Sequence, residues 1–344
     1  MRILHVTDRS SARGGADWHL LGVIEALAER GFEQHLAVER DDGSARSACA
    51  VSVGGLDRLD SLVARFRPNL VHVHNAIDPA VLAWVAARDG IATVQDHRSF
   101  CPGQGKLTLS GQICNAPMAS STCAGCFADA GYHARIQAVT EARLCALQRM
   151  RAITVLSHYM KRELALVGVS PERVHVIPPF VHGLDREARA DGKACVLFAG
   201  RVVTAKGVHD AVEAWRRAGV ALPLLVAGTG SARLTLDVEV TGWLPHARMS
   251  AVYRRARALV MPSRWQEPFG IVGLEALTMG VPVAAWRSGG IPEWHPGGDL
   301  LVDWGDLDAL AGALRAAIET RVEAPAGFER DAIVDRMLAF YQGC

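Results

Sequence analysis

Long apolar runs are missing from this chain of 344 residues. None approaches the roughly 18 consecutive apolar residues of a membrane-spanning helix. The N-terminus also lacks the basic start, long apolar core and cleavage site of a secretory leader, so the sequence reads as cytoplasmic. An excess of either charge is missing as well. The 37 Lys and Arg stand against 36 Asp and Glu, a formal net charge of +1. No whole-molecule field then selects nucleic acid or an anionic membrane as partner, and any anion site has to be local. Lysine is scarce, confined to Lys106, Lys161, Lys193 and Lys206, a bias that says nothing about chemistry by itself. What is present is 50% hydrophobic and 21% charged residues in clear periodic segments. That is the composition of an ordinary folded protein rather than a tail or linker, with enough chain for two domains.

Residues 2–7 (RILHVT) form an apolar run that meets a loop with Gly14 and Gly15, and then the helical pattern ADWHLLGVIEALAER, stopped at Gly31. The same grammar recurs in a strand at 33–39, a helix at 56–66, a strand at 70–74, a helix at 79–88 and a strand at 92–95. An irregular stretch from 97 to 130 follows, then a helix over 132–150, the strand AITVL, a helix and the strand VHVIP. Such alternation predicts a parallel, doubly wound sheet. The polar segment 180–194 reads as a linker, after which CVLFAG restarts the pattern. A helix over 206–218, strands LPLLVAG and VEVTG, a helix at 247–255, the strand ALVMP, a helix at 269–279, the strand VPVAA and a helix from 306 complete a second sheet. The amphipathic segment 328–341 should be a helix that packs back on the first half. The expected architecture is α/β, with two facing Rossmann-like domains at 1–182 and 183–325 and a C-terminal helix in 326–344. Ligands of such folds bind in the cleft at the strand C-terminal ends.

Two constellations carry possible chemistry. Arg201 and Lys206 follow the strand CVLFAG and open a helix. Helix N-termini offer free amides and partial positive charge, so two cations there suit a diphosphate; a solvated loop with a surface Arg and Lys is the alternative. Glu267 and Glu275 stand eight residues apart in EPFGIVGLE, with Pro268 suited to a first helical turn. On this reading Glu267 lies at the cleft edge and Glu275 inside the helix. Carboxylates accept hydrogen bonds from sugar hydroxyls, and the amides of Phe269, Gly270 and Ile271 would face an approaching anion. A glutamate near a helix N-terminus is also favoured by the dipole alone, which would account for Glu267 better than for Glu275.

With FAGRVVTAKG, VAGTGS, VTGWLP, EPFGIVGLEALTMGVPVAA and SGGIPE, the chain resembles the retaining glycosyltransferases of family 4, which have the GT-B fold; the resemblance covers nearly the whole chain and is strongest from 196 to 318. The resemblance implies a nucleotide-diphosphate sugar donor, with UDP or GDP as the nucleotide, held on the C-terminal domain, and a small acceptor on the N-terminal one. It places Arg201 and Lys206 on the donor diphosphate, Glu267 on donor-sugar hydroxyls and Glu275 on the ribose. Phe269, Gly270 and Ile271 would flank sugar and phosphate, with Gly200 and Gly228 on the donor side and Gly14 and Gly15 in a loop that lets backbone approach the ligand. The implied reaction is front-face displacement without a catalytic metal, in which the leaving phosphate takes the acceptor proton. An epimerase or pseudo-glycosyl coupling enzyme, or a non-catalytic nucleotide-sugar-binding protein, would share these features.

Departures from the family pattern are confined to a few positions. Gln95-Asp96-His97 replaces a His-Asp ending, so either Gln95 or His97 takes the histidine's role on the sugar or acceptor side, with Asp96 beside it. The chain has Asp17 where a glutamate often follows the glycine loop, and little room for a helix between Gly230 and Asp237. His72 and His74 share one face of the strand LVHVH, His72 as a structural residue and His74 towards the cleft. Asp306-Leu307-Asp308 imitates a metal-binding Asp-x-Asp but reads better as a helix cap. Cys101, Cys114, Cys123 and Cys126 fall in one irregular stretch and end in Cys-x2-Cys. Four cytosolic cysteines so placed are compatible with a structural zinc site, inert thiols, disulfides or an iron–sulfur cluster.

Overall fold

The computed structural model describes residues 1–344 apart from 76–77 and 235–236. Contacts divide the chain into Met1–Phe180 with Arg330–Cys344, and Val181–Glu329.

The first unit runs β1 (Arg2–Ser10), α1 (Gly15–Glu29), β2 (Glu33–Asp41), β3 (Ala50–Val53), α2 (Leu56–Phe66), β4 (Leu70–His74), α3 (Pro79–Ala86), β5 (Ile91–Val94), α4 (Ser120–Ala124), α5 (Ala130–Gln148), β6 (Ala152–Val155), α6 (His158–Leu166) and β7 (Val174–Val176). Its strands form one seven-stranded parallel sheet in the order β3-β2-β1-β4-β5-β6-β7. Helices cover both faces, so β4 and β5 are buried at every residue and read as unbroken runs rather than as alternation. Three helix starts follow from their caps. Asp78 accepts from the Ala80 amide ahead of Pro79, Asp129 accepts from the Tyr132 amide, and Ser157 accepts from the Met160 amide. One face packs Leu59, Leu82, Val85, Leu147 and Met160 against the sheet. On the other, α1 joins α11 (Arg330–Gly343), whose Ile333, Val334, Met337 and Tyr341 cover Ile3, Leu70 and Ile91.

The second unit runs β8 (Cys195–Ala199), α7 (Val208–Ala218), β9 (Leu224–Ala227), β10 (Glu239–Gly242), α8 (His246–Arg255), β11 (Ala256–Met261), α9 (Ile271–Thr278), β12 (Val283–Trp286), β13 (Leu301–Val302) and α10 (Leu307–Glu319). These strands give a six-stranded parallel sheet in the order β10-β9-β8-β11-β12-β13. Asp306 caps α10 by accepting from the Ala309 amide.

Several expectations need correction. β3 and β13 are strands beyond those expected; they are short and lie at sheet edges, where little apolar pattern is required. Lys206 does not open α7: it ends a 3-10 turn, and Gly207 in the left-handed region intervenes. Pro268 lies ahead of α9 rather than in its first turn, because Gly270, at φ +95°, is the N-cap. Residues 231–234 form no helix, while the remainder of the 230–237 expectation includes 235–236, outside the described residues.

Candidate active site

Lys206 and Glu267 form the centre of the group in the second unit. Lys206 Nζ donates to Glu267 Oε1 at 2.7 Å, and Ser263 Oγ donates to the same oxygen at 2.5 Å. Glu267 is buried rather than at an edge. Burial alone would raise its pKa, but the charge and hydrogen bond of Lys206 and the hydroxyl of Ser263 outweigh it, and the carboxyl is held below its ordinary range. The Trp265 indole lies under both cations, 4.5 Å from Lys206 Nζ and 5.4 Å from the Arg201 guanidinium.

Backbone geometry explains why these side chains meet. A Cβ on Gly207, at φ +72°, would stand 1.7 Å from the Pro262 carbonyl oxygen, so only glycine lets the Lys206 turn press against the end of β11. The amides of Arg264 and Trp265 donate to the Ala205 carbonyl, and Arg264 pairs with buried Asp210 of α7. The Glu267 carbonyl accepts from the Gly290 amide at 2.7 Å, and Gln266 Oε1 accepts from the Gly289 amide at 2.9 Å. The buried amide nitrogen of Gln266 has no partner among the described residues, which leaves a spare donor beside Glu267. Gly228 serves the backbone: a Cβ there would lie 1.8 Å from the Gly200 carbonyl oxygen.

Glu275 is the fifth residue of α9 and is buried. Tyr253 OH donates to Oε2 at 2.8 Å, and His246 Nε2 lies 2.8 Å from Oε1. Phe269 is buried and its carbonyl accepts from the Trp294 indole, which packs against Gly273. Gly270 is the N-cap of α9 and Ile271 its first residue, and no side chain caps the first amides of this helix. This arrangement combines two cations, a helix start that no side chain caps and oriented carboxylates, the groups needed to hold an anion joined to a polyol.

In the first unit Gly14 is the N-cap of α1 and Gly15 its first residue. Asp17 accepts two hydrogen bonds from Arg9, at 2.6 and 2.9 Å. His5 Nε2 and Gln34 Oε1 are 3.0 Å apart, and His5 Nδ1 and His74 Nε2 3.1 Å apart. His72 sits between Tyr341 OH and Thr93 Oγ1 at 2.9 and 2.7 Å. Burial lowers the pKa of His5 and His19 to about 4 and that of His72 and His74 well below the ordinary value. Gln95 Nε2 reaches His19 Nδ1 at 3.3 Å. Gln95 Oε1, His19 Nε2 and His74 Nδ1 keep no hydrogen-bond partner among the described residues, so this group retains polar atoms for a ligand. Asp96 pairs with Arg98, whereas His97 is buried with its Nε2 2.9 Å from Tyr159 OH. None of the cysteines is disulfide-bonded.

Ser263, Trp265, Gln266, His246 and Tyr253 were not anticipated from sequence. For Ser263 and Gln266, proximity to Glu267 was a usable signal. Tyr253 and His246 stand 22 and 29 residues before Glu275, and only the fold brings them to it.

Two Rossmann-like parallel sheets, one carrying this cation–carboxylate group, define the GT-B class of fold. Residues 13–182 match Glycosyltransferase Family 4 and residues 193–320 match Glycosyl transferases group 1. The chain belongs to family 4 of the glycosyltransferases. It is 35% identical over 155 residues to the glycogen synthase of Mycobacterium tuberculosis, across 41% of this chain and 37% of that enzyme's length. It is 29% identical over 320 residues to D-inositol 3-phosphate glycosyltransferase 1 of Catenulispora acidiphila, covering 80% of this chain and 72% of the relative. Anabaena HepE, solved in complex with UDP and glucose, has the same fold at a TM-score of 0.72 and 16% identity, with 100% of both chains covered. No described helix is long and apolar enough to cross a membrane.

Proposed function

We propose that this protein transfers a hexosyl group from a UDP- or GDP-sugar to a small soluble acceptor, such as a natural-product or thiol metabolite, with retention at the anomeric carbon. The observation that carries this reading is the pair of half-buried Lys206 with buried Glu267 beside Arg201, next to the start of α9, which no side chain caps. A cation that must meet a diphosphate and a carboxylate that must meet sugar hydroxyls are here held by each other until the donor takes both.

In the proposed step the acceptor oxygen or sulfur attacks the anomeric carbon from the side on which the diphosphate departs. The bond from carbon to phosphate oxygen breaks, the bond to the acceptor forms, and the acceptor proton passes to the leaving phosphate oxygen. Arg201, Lys206 and the amides of Phe269, Gly270 and Ile271 stabilise the charge that develops there, and Glu267 positions the sugar. Glu275 holds the ribose, with Gly200 and Gly228 shaping the backbone on the donor side. The loop of Gly14 and Gly15 lets backbone approach the donor, and His74, Gln95, Asp96 and His97 serve the acceptor or sugar. The step requires no metal, because its negative charge is met by side-chain cations and amides. The HepE complex with UDP and glucose and the name of the inositol-phosphate relative support a nucleotide-sugar donor and a small acceptor.

Thermal unfolding with UDP-, GDP-, ADP- and dTDP-sugars tests donor binding, since a ligand of the folded state raises the midpoint. Product analysis with the selected donor then decides the reaction. Free nucleotide diphosphate with a glycosylated acceptor supports transfer. An isomerised donor makes the protein an epimerase, binding without turnover makes it a nucleotide-sugar-binding protein, and no midpoint shift at millimolar donor overturns the donor site.

A further inference from the structure

Between β5 and α5 the chain carries one five-residue helix and one isolated bridge, Leu107 with Ile113. Such a segment has little regular hydrogen bonding or apolar burial with which to offset the entropy of its ordering, and a cross-link is the usual remedy in small irregular units. Cys101, Cys114, Cys123 and Cys126 all line one small cavity of about 20 Å³, together with Gly103 and Lys106. That volume is of the order that a single small ion or water occupies. A Cβ on Gly103 would stand 3.8 Å from the sulfur of Cys101 and 4.0 Å from that of Cys126, so the glycine keeps the cavity wall thin.

The backbone presents the four cysteines from separate turns. The Cys126 amide donates to the Cys123 carbonyl at 2.9 Å, closing the Cys-x2-Cys turn. The Cys114 amide donates to the Lys106 carbonyl at 2.8 Å, and the Cys101 amide to the His97 carbonyl at 2.7 Å. Lys106 is buried in the left-handed region at φ +63°, and its Nζ bridges the Ala116 carbonyl at 2.6 Å and Glu163 at 3.0 Å. A lysine held in this way ties both arms of the loop to α6 and brings a positive charge to the cavity wall.

We propose that these four cysteines form a four-thiolate site for one structural zinc ion. Binding replaces four S–H bonds by four Zn–S bonds and releases four protons to solvent, leaving a site of net charge −2 with the Lys106–Glu163 pair at its wall. Zn–S bonds of about 2.3 Å require neighbouring sulfurs about 3.8 Å apart. Among the described residues, the group with three ligand atoms within 4.8 Å of one another is His5, His72 and His74, so the metal draws the sulfurs inward around their cavity. The histidines are the poorer site, since both ring nitrogens of His5 and of His72 are engaged in hydrogen bonds. Through Cys101 and His97 the ion would also brace the turn that carries Asp96.

The test uses the full chain, purified under reducing conditions and washed with a weak chelator. Elemental analysis is expected to find about one zinc per chain, falling at least about tenfold in Cys123→Ala/Cys126→Ala but not in Cys145→Ser. Should the double variant fail to fold, Co²⁺ exchanged into the wild-type chain is expected to give the intense tetrahedral d–d and sulfur-to-cobalt charge-transfer bands of a four-sulfur site. Metal-free wild-type protein, zinc retained without the cysteines, an iron–sulfur chromophore, or disulfides found by mass under non-reducing conditions would each overturn the assignment.

Discussion

Lys206 Nζ stands 2.7 Å from Glu267 Oε1, with the carboxylate side chain 3% exposed and the lysine 21%. The buried carboxylate is tolerated where it is because the lysine is present. Lys206→Ala therefore costs stability as well as chemistry, about 3–5 kcal/mol in urea unfolding because a buried carboxylate loses its partner, together with a loss of at least about 100-fold in turnover. Glu267→Gln leaves a lysine that can still reach water, so its turnover should fall similarly with a smaller stability loss. Equal activity in wild type and both variants would remove the pair from the reaction.

The Glu275 carboxylate is oriented on both oxygens before any ligand arrives. Tyr253→Phe deletes the bond to Oε2 and is expected to raise the donor KM about tenfold with kcat little changed, the signature of lost uniform binding. A kcat loss at constant KM would place Glu275 in the chemical step instead. Initial-rate kinetics over donor concentration separates the two.

Four buried histidines predict a marked pH dependence of stability. Their folded pKa values lie below the ordinary 6.5, at about 4 for His5 and His19, and lower than 6.5 for His72 and His74. The unfolded chain therefore takes up protons first. The stabilisation is complete above the unfolded value and is lost as pH falls from 6.5 towards 4, by up to about 1.4 kcal/mol per histidine per pH unit. Urea unfolding at pH values from about 7 down to about 5 should show this slope, and His72→Gln should flatten it. A flat wild-type profile would mean that these rings ionise inside the fold.

Gly207→Ala forces a side chain into the left-handed region and against the Pro262 carbonyl. We expect a destabilisation of roughly 3 kcal/mol or more. Gly312→Ala on α10, where a Cβ meets no atom closer than 3.9 Å, should be neutral or stabilising. Paired thermal melts of the two variants check the contrast.

Much of this was legible in the residues, for reasons that differ by element. The run LVHVH and the helix over 56–66 carry their own periodicity, and both stand where the pattern put them. The proximity of Arg201 and Lys206 to a helix start was readable, but the intervening turn was not, because it depends on how closely Gly207 approaches Pro262. Glu267 looked like a rim residue because a carboxylate is ordinarily exposed. The ion pair that allows its burial spans 61 residues of chain. The partners of Glu275 and the meeting of His5 with His74 likewise depend on strand order and helix docking, which local pattern does not encode.

The helix α11 is drawn from the end of the chain, yet its Tyr341 hydroxyl meets His72 and its Ile333 and Met337 lie over Ile3 and Leu70. During synthesis, residues 1–180 leave the ribosome long before these caps exist. Their sheet must wait with the part of one apolar face that α1 does not cover left open while the whole of Val181–Glu329 is made. Of these two units the one translated earlier is thus the one finished later, and in that interval it is the more exposed to aggregation and the more dependent on chaperones.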